Sequence, residues 1–491
     1  MAQDYTPANT GGALAAMAPD SVRKIWHKGF LFAENNADFF AQMESTSNKA
    51  LVRVKTDTAA GKGQEITFTN MSGFYDEPHH GDDLFETPDD FEEVLIDDFS
   101  MIVDWIRHGT SFNERMEEVM GMRGEIASGF NTQLGEWLGR QKTEKLFAEF
   151  QLNLNNENIV YASGKTLNTL GSADTLAWDE VVNMGQAMKP LGGLPANIAA
   201  AGSKQPIWSQ TVIPTEAALL SLKLDPDYKQ VLREADNRGG QNTLFRGGYR
   251  DIDGHSIVPY NPIDHDGVGA IGSFLNPKAQ LGVAIAAGTT DIDITGGGNA
   301  TNAAITKKMY FKYFPGYAYK FSATQTFSPV SETRYLLIVN PSNAATDPGK
   351  IGMYAYTTGN NGNKITITQR LGSAASGARV TTLGDVTWNT GAWAGRHTDV
   401  HPSNALIIPC NSKGVPIGDT LMLGRMAAMR GYGKYRGHRS QDSKEGGFVT
   451  QRFITSVFGQ VIRKDRLGRH PAVMRLRHAI TYPHLNLPVI A

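Results

Sequence analysis

Residues 111–150 run SFNERMEEVMGMRGEIASGFNTQLGEWLGRQKTEKLFAEF. Met116, Met120, Ile126, Phe130, Leu134, Trp137 and Leu138 recur mostly at three and four, with Arg123 the one polar member of the stripe. That is the period of a single helix face. Ser111, with Glu114 three residues later, has capping-box spacing, so the pattern predicts a helix from Ser111 to about Phe150. Such a helix, about 40 residues long, would span roughly 60 Å, longer than most globular helices and apolar on one face only. Glycines 121, 124, 129, 135 and 139 interrupt it. Each costs about 1 kcal/mol relative to Ala, and each admits bending or the close approach of a neighbouring backbone.

Upstream, residues 1–49 are rich in Ala, Asn and Ser and read as an arm, with one short helical stretch near Ser21 to Phe32. Such a terminus is disordered unless another surface ties it down. LVRVK (Leu51 to Lys55) and QEITFT (Gln64 to Thr69) alternate apolar and polar residues around Ala59-Ala60-Gly61-Lys62-Gly63, which predicts a hairpin. An acidic block and the apolar stretch Phe99 to Ile106 follow, so 50–108 reads as a long two-sided β excursion.

Downstream, residues 155–275 look α/β, with helices expected at Trp178 to Met188 and Pro214 to Leu222. LFRGGYRDIDGHSIVPY (Leu244 to Tyr260) reads as strand, turn, strand. From 275 to 398 the composition turns to Asp, Asn, Thr, Ser and Gly. Alternating runs appear at Asp291 to Ile294, Met309 to Phe314, Tyr335 to Val339, Ile351 to Tyr356 and Lys364 to Gln369. Strands at this spacing point to a β-sandwich or barrel, inserted into the α/β host as a separable accessory domain. Helical signal returns at Pro416 to Met429, and strands are expected at Gly447 to Ile462 and Ala472 to Thr481.

At 491 residues the chain has room for two to four domains and needs no metal or disulfide staple. Its single cysteine, Cys410, cannot close an intramolecular disulfide, which favours a reducing compartment. The formal charge of −2 names no nucleic-acid or membrane partner. No apolar run reaches the roughly 18 residues of a membrane span. GGALAAMA (Gly11 to Ala18) lacks a basic n-region and is too short for a signal peptide, so a soluble intracellular protein is expected.

Enzymatic signals are weak. His79-His80-Gly81-Asp82-Asp83 groups metal-type ligands, but no second pair at helical spacing supports them. Asp251-Ile252-Asp253-Gly254-His255 lacks the closing Glu of a calcium loop and reads as an Asp-Gly turn between strands. Phosphate-loop, nucleophile-elbow and dinucleotide motifs are missing. Cys410, beside Ile407-Ile408-Pro409, reads as a small buried residue rather than a nucleophile. No catalytic residue, cofactor or metal is assigned. The mixed basic and aromatic run Gly431 to Arg439 reads as a solvated loop or subunit contact ahead of a nucleic-acid contact.

The average charge hides two blocks. Asp76 to Asp98 holds eleven acids, and no Lys or Arg occurs between Gly63 and Ile106. Arg425 to Arg477 holds thirteen basic residues against three acids. Each block is a solvated face on the plain reading. Opposite blocks also meet across self-association interfaces. On that second reading the candidate interface residues are Asp82, Asp83, Glu86, Asp89, Asp90, Glu92 and Glu93, facing Arg463, Lys464, Arg466 and Arg469 of a neighbour.

The order of these parts resembles the major capsid proteins of tailed bacteriophages, the shell fold shared with herpesviruses, and within it the branch found in N4-like podoviruses. The hairpin 50–108 takes the place of the family's extended loop and Ser111 to Phe150 that of its spine helix. Leu244-Phe245-Arg246-Gly247-Gly248 with Asp253 to Val258 is similar to its axial-domain strands. Pro416 to Gly431 is similar to its small-residue axial helix, and Phe453 to Gly468 with Val473 to Ala479 to its closing peripheral strands. The resemblance implies an α+β fold: arm 1–49, extended loop 50–108, peripheral domain with spine helix 109–174, axial domain 175–274, inserted β-rich domain 275–398, axial return 399–440 and peripheral closing strands 441–491. The function it implies is a structural subunit of hexamers and pentamers in an icosahedral phage head enclosing double-stranded DNA. It would assemble in the host cytoplasm with a separate scaffolding protein, a portal and decoration proteins. The competing functions are a β-rich tail or receptor-binding protein, and a hydrolase using the acidic block as general acid and base. Mass separates them: megadalton shells, a trimeric fibre or a small oligomer.

Overall fold

The computed structural model describes residues 32–57, 60–61, 63–71, 96–113, 125–197, 208–235, 251–252, 254–260, 279–280, 291–293, 334–340, 351–358, 364–371, 402, 405–442 and 449–482. Among these, twenty strands are numbered β1 to β20 in chain order. The chain divides into two compact units, each drawn from two segments. Unit 1 takes residues 1–146 and 428–469, and unit 2 takes 147–427 and 470–491.

Unit 1 is built on a five-stranded sheet in the order β1 (Glu44–Ser45), β2 (Val52–Thr56), β18 (Ala428–Asp442), β19 (Val449–Ile462), β5 (Asp104–Asn113). β1, β2 and β18 run parallel, and β19 is antiparallel to both β18 and β5. The pleat sends alternate side chains to opposite faces. Tyr432, Ile454 and Phe458 point to one face and meet Leu134 and Leu138 of helix α1 (Glu125–Leu152). Met429 and Val457 point to the other and meet Ile66, Phe68 and Met101. Those three belong to a two-stranded ribbon of β3 (Glu65–Met71) and β4 (Ile96–Ile102). Each fully buried side chain of this size contributes about 1.5–3 kcal/mol, so helix and ribbon are both fixed by the sheet between them.

Two expectations fail here. LVRVK does not pair with QEITFT: β2 takes β1 and β18 as partners, while β3 pairs with β4. Both runs alternate, but Ile66 and Phe68 share a buried face with Met101, and β18 offers Val52 a fully buried site. Ser111 does not cap a helix either, because it lies in β5 opposite Gln451. At 28 residues α1 is about 42 Å long. Its stripe holds at Leu134, Trp137 and Leu138, while residues 114–124 lie outside the described structure. The predicted close approach occurs at Gly139. A Cβ there would collide with Glu34 O and lie 3.0 Å from Asp38 N, on the segment that includes the helical residues 32–37. The remainder of the expected arm helix lies outside the described residues.

Unit 2 holds a sheet in the order β6 (Ile159–Tyr161), β20 (Val473–Ala479), β17 (Ile417–Leu423), β8 (Trp208–Ile213), β10 (His255–Ile257), β9 (Asp251–Ile252), with β7 (Ala196–Asn197) also on β8. Helix α2 (Trp178–Met188) falls where its periodicity predicts and packs Trp178, Val181, Met184 and Met188 against Val212, Ile257, Met422 and Met474. Helix α3 (Glu216–Leu224) starts after Pro214. Thr215 is its N-cap, and its hydroxyl accepts from Ala218 N at 3.4 Å. α4 (Pro226–Ala235) follows. β9 and β10 pair across Gly254, whose φ of +76° suits glycine, so the Asp-Gly turn is a turn.

The helix expected at Pro416 to Met429 is replaced by β17, a turn with Met426 at φ +52°, and the start of β18. β17 is buried on both faces from Gly418 to Leu423, so it lacks the alternation that marks a half-exposed strand. The predicted β-rich stretch contributes β12 (Asp291–Asp293), β13 (Arg334–Val339), β14 (Ile351–Thr358) and β15 (Lys364–Leu371). They join β11 (Ala279–Gln280) and β16 (Leu406–Cys410) in one six-stranded sheet ordered β11-β16-β13-β14-β15-β12. Met309 to Phe314 lies outside the described residues. Leu337, Val339 and Ile408 share a core with Ile480 and Tyr482, so this sheet is packed onto the end of the chain.

Candidate interaction surface

The charged groups that sequence reasoning assigned to solvated faces are partly internal. In unit 1 Arg430 is buried on β18. Its Nε donates to Gln460 Oε1 at 2.8 Å, and its Nη1 to Glu44 Oε2 at 3.0 Å and to Asp38 Oδ2. Its Nη2 donates to Asp38 Oδ1 at 3.1 Å. Thr143 Oγ1 donates to the same Asp38 oxygen at 2.9 Å. Lys142 pairs with Glu34 and lies 4.5 Å from the Tyr432 ring centroid. Burial alone would raise the Asp38 pKa, but Arg430, helped by Lys142 and Thr143, holds it below the usual carboxylate range. Burial would likewise lower Arg430, yet Asp38, Tyr432 and Glu44 raise it. The cluster is therefore a sealed set of mutually satisfied ions that fastens residues 34–44 to α1 and β18.

Unit 2 has a smaller counterpart. Asp419 on β17 meets Arg475 Nη2 at 2.5 Å, Arg477 Nε at 3.4 Å and Gln151 Nε2 at 3.0 Å. Burial and the neighbouring Arg477 outweigh Asp419 at Arg475, whose pKa falls to about 10. The solvated-face reading is thus wrong for Arg430 and Arg475. It fails too for the loop expected at Gly431 to Arg439, which is the middle of β18 with Tyr432 buried. No local signal pointed that way for Arg430, whose acids Asp38 and Glu44 lie 392 and 386 residues away in sequence. Cys410 sits in an apolar setting that pushes its thiol well up, away from thiolate chemistry. Among the described residues no three His, Cys, Asp or Glu side chains are grouped to hold a metal.

Of the predicted interface residues, Asp82, Asp83, Glu86, Asp89, Asp90, Glu92 and Glu93, like His79 and His80, lie outside the described residues. Arg463 and Arg469 are half-buried, and Lys464 and Arg466 exposed, in the turn after β19. Arg469 Nε donates to Asp465 Oδ2 at 2.9 Å, and Asp465 Oδ1 accepts the N–H groups of Leu467 and Arg469. The turn is thereby preformed, with Arg469 engaged locally and Lys464, Arg466 and Leu467 turned outward.

What sequence reasoning missed is an apolar surface on unit 1. The outer face of the ribbon exposes Ile96 and Ile102, and Trp105 on β5 is 41 % exposed with Arg107 stacked 4.0 Å from its ring centroid. Phe453 lies in the open across from Gly109. The free edge of β3 is closed by two cations: Lys55 Nζ donates to Thr67 O at 2.6 Å and Arg53 Nη1 to Thr69 O at 3.3 Å. Charged side chains at an edge keep it from recruiting further strands.

No family model matches this chain, and no curated protein matches it. Among solved structures it is similar to the capsid of Ralstonia phage GP4, at 12 % identity over 91 % of this chain and 92 % of that one, TM-score 0.49. It is similar to the capsid asymmetric unit of cyanophage Pam1, at 8 % identity over 90 % and 92 %, TM-score 0.49. It is also similar to the head of Helicobacter pylori bacteriophage KHP40, at 10 % identity over 91 % and 91 %, TM-score 0.48.

Proposed function

We propose that this chain is a major capsid protein of the tailed-phage type, in the N4-like branch: a structural subunit that assembles into hexamers and pentamers of an icosahedral shell around double-stranded DNA. The observation that carries this reading is the surface of unit 1. The ribbon exposes Ile96 and Ile102, β5 exposes Trp105 and β19 exposes Phe453, while the buried ions Arg430, Asp38, Lys142 and Glu34 of the same unit pair with one another. Large exposed apolar side chains beside an unpaired strand edge are the mark of a protein whose neighbours complete its fold. The sequence resemblance supplies the kind of assembly, and closed symmetric shells are what repeated copies of one such surface build.

On this reading the domain order is that expected from sequence, and the chain does no chemistry. Its partners are itself, a separate scaffolding protein, a portal and decoration proteins. DNA meets the inner face without sequence specificity, and assembly proceeds in the host cytoplasm. The acidic residues Asp82, Asp83, Glu86, Asp89, Asp90, Glu92 and Glu93 face Arg463, Lys464, Arg466 and Arg469 of a neighbour. Sedimentation and negative-stain microscopy of the chain, alone and with its scaffold, test this directly. Closed megadalton particles are expected; a compact monomer at every concentration, or a discrete trimer, overturns it.

A further inference from the structure

His478 is fully buried on β20 in unit 2. Its Nδ1 lies 3.0 Å from Ala479 O, and its Nε2 lies 2.9 Å from Thr420 Oγ1 on β17. A carbonyl only accepts, so Nδ1 carries the proton and donates, and Nε2 takes the hydroxyl proton of Thr420. Both ring nitrogens are thus satisfied in the neutral ring. A second proton, on Nε2, would turn the hydroxyl round and place a charge in a dry site. The charges nearby oppose it. Asp419, next to Thr420 on β17, is the carboxylate whose charge reaches the ring. It is already engaged by Arg475 Nη2, by Gln151 Nε2 at 3.0 Å and by Arg477 Nε at 3.4 Å. An imidazolium would be the third cation around one carboxylate. The other elements packed on β20 supply no relief. On α2 Asp179 is exposed, and Glu180 Oε1 accepts Ser163 N at 2.6 Å. Along 156–165 Glu157 is exposed, and Lys165 pairs with Asp174, whose carbonyl accepts Ala479 N at 2.8 Å. Tyr161 on β6 stands opposite Arg477. Burial accordingly pushes the His478 imidazole below the usual histidine range.

We propose that His478 makes β20 an acid-released latch, closed while the imidazole is neutral and opened when the ring takes up a proton. The proposal stands apart from the capsid reading. The latch holds two cores at once. Met474 and Leu476 of β20 pack with α2, and the chain then runs into Ile480 and Tyr482, which share a core with Leu337, Val339 and Ile408 of β13 and β16. Opening β20 from β17 therefore uncovers apolar side chains in both places. The sign follows from the ring's two states. It is neutral in the closed strand and titrates near 6.5 once exposed. The closed state is therefore fully favoured above that pH and loses ground as the pH falls through it.

Hydrogen exchange of the full chain tests this, with the protection of 417–423 and 473–479 taken relative to the intrinsic exchange rate at each pH. Between pH 7.5 and pH 5 protection should fall by up to about 30-fold, the gain in protonation of an exposed imidazole over that range. His478→Gln keeps an acceptor for the Thr420 hydroxyl and takes up no proton, so its protection should change less than about threefold. His478→Asn replaces it if the longer side chain does not fold. His255 and His470, the other buried histidines of unit 2, are untouched in both variants, so the difference belongs to His478. Protection that stays level in the unsubstituted chain from pH 7.5 to pH 5 overturns the latch. So does a fall as large in the substituted chain as in the unsubstituted one.

Discussion

Replacing Arg430 by Met tests whether the buried ions of unit 1 hold it together. The substitution keeps most of the side-chain volume and removes four hydrogen bonds, to Gln460, Glu44 and both oxygens of Asp38. Asp38 is left with the Thr143 hydroxyl, the Phe40 N–H and the more distant charge of Lys142. Removing one partner of a buried pair costs about 3–5 kcal/mol, chiefly because the survivor remains charged and dry. For a unit of about 190 residues, each kcal/mol lowers the Tm by about 2–4 °C, so a fall of roughly 6–20 °C is expected in thermal unfolding of the unassembled subunit at pH 7. The pH dependence should change sign as well. With Arg430 present, the depressed Asp38 pKa gives stability that is whole above the ordinary carboxylate range and is lost as pH falls through the folded value. Without Arg430, burial dominates and raises that pKa, so acidification from pH 7 to pH 5 should restore part of the lost stability. Asp38→Asn combined with Arg430→Met should likewise recover much of it. A loss under about 1 kcal/mol, or no recovery on either route, would refute the assignment of this cluster as a fastening of residues 34–44.

Gly139→Ala drives a methyl group into the backbone of Glu34 and Asp38 and the side chain of Ala37. It should destabilise unit 1 by about 2 kcal/mol or more, in the range of overpacking, and expose residues 32–45 to limited proteolysis. The paired change Arg53→Ala and Lys55→Ala uncovers the Thr67 and Thr69 carbonyls. Little change in Tm but faster aggregation by light scattering is expected. Replacing 275–398 with a short Gly-Ser linker, which the composition of that stretch invites, strips β13 from β16 and uncovers Ile408, Ile480 and Tyr482. Loss of soluble protein is expected, and recovery of a folded chain would show that the sheet is an appendage.

Local periodicity made some elements legible and left others unreadable. α2 was readable because its apolar period matches its buried face, and β13, β14, β15, β19 and β20 because each is an apolar or alternating run of strand length bounded by turn residues. β17 was not, because it runs without alternation into the small residues Gly424, Ala427 and Ala428, and the whole stretch read as one helix. The start of α1 was misplaced because Ser111 and Glu114 satisfy a capping rule while Gln451, 340 residues away, claims the same backbone. The charges of Arg430, Lys142 and Arg475 read as surface because residue type alone cannot reveal that Asp38, Glu34 and Asp419 wait for them.

Unit 1 also sets a clock. Its first segment ends at Leu146 and its second begins at Ala428, so about 280 residues must leave the ribosome before β18 can arrive. At roughly 5–20 residues per second, Asp38 waits about 15–55 s for the arginine that neutralises it, and the apolar Leu134 and Leu138 wait as long for the strand that covers them. During that interval the nascent chain offers its helix to any hydrophobic surface nearby. A cell making many copies at once, on polysomes where neighbouring chains are close, would therefore meet its greatest risk of misfolding before any chain is complete, and chaperone capacity would limit the yield of folded protein more than the strength of its finished contacts.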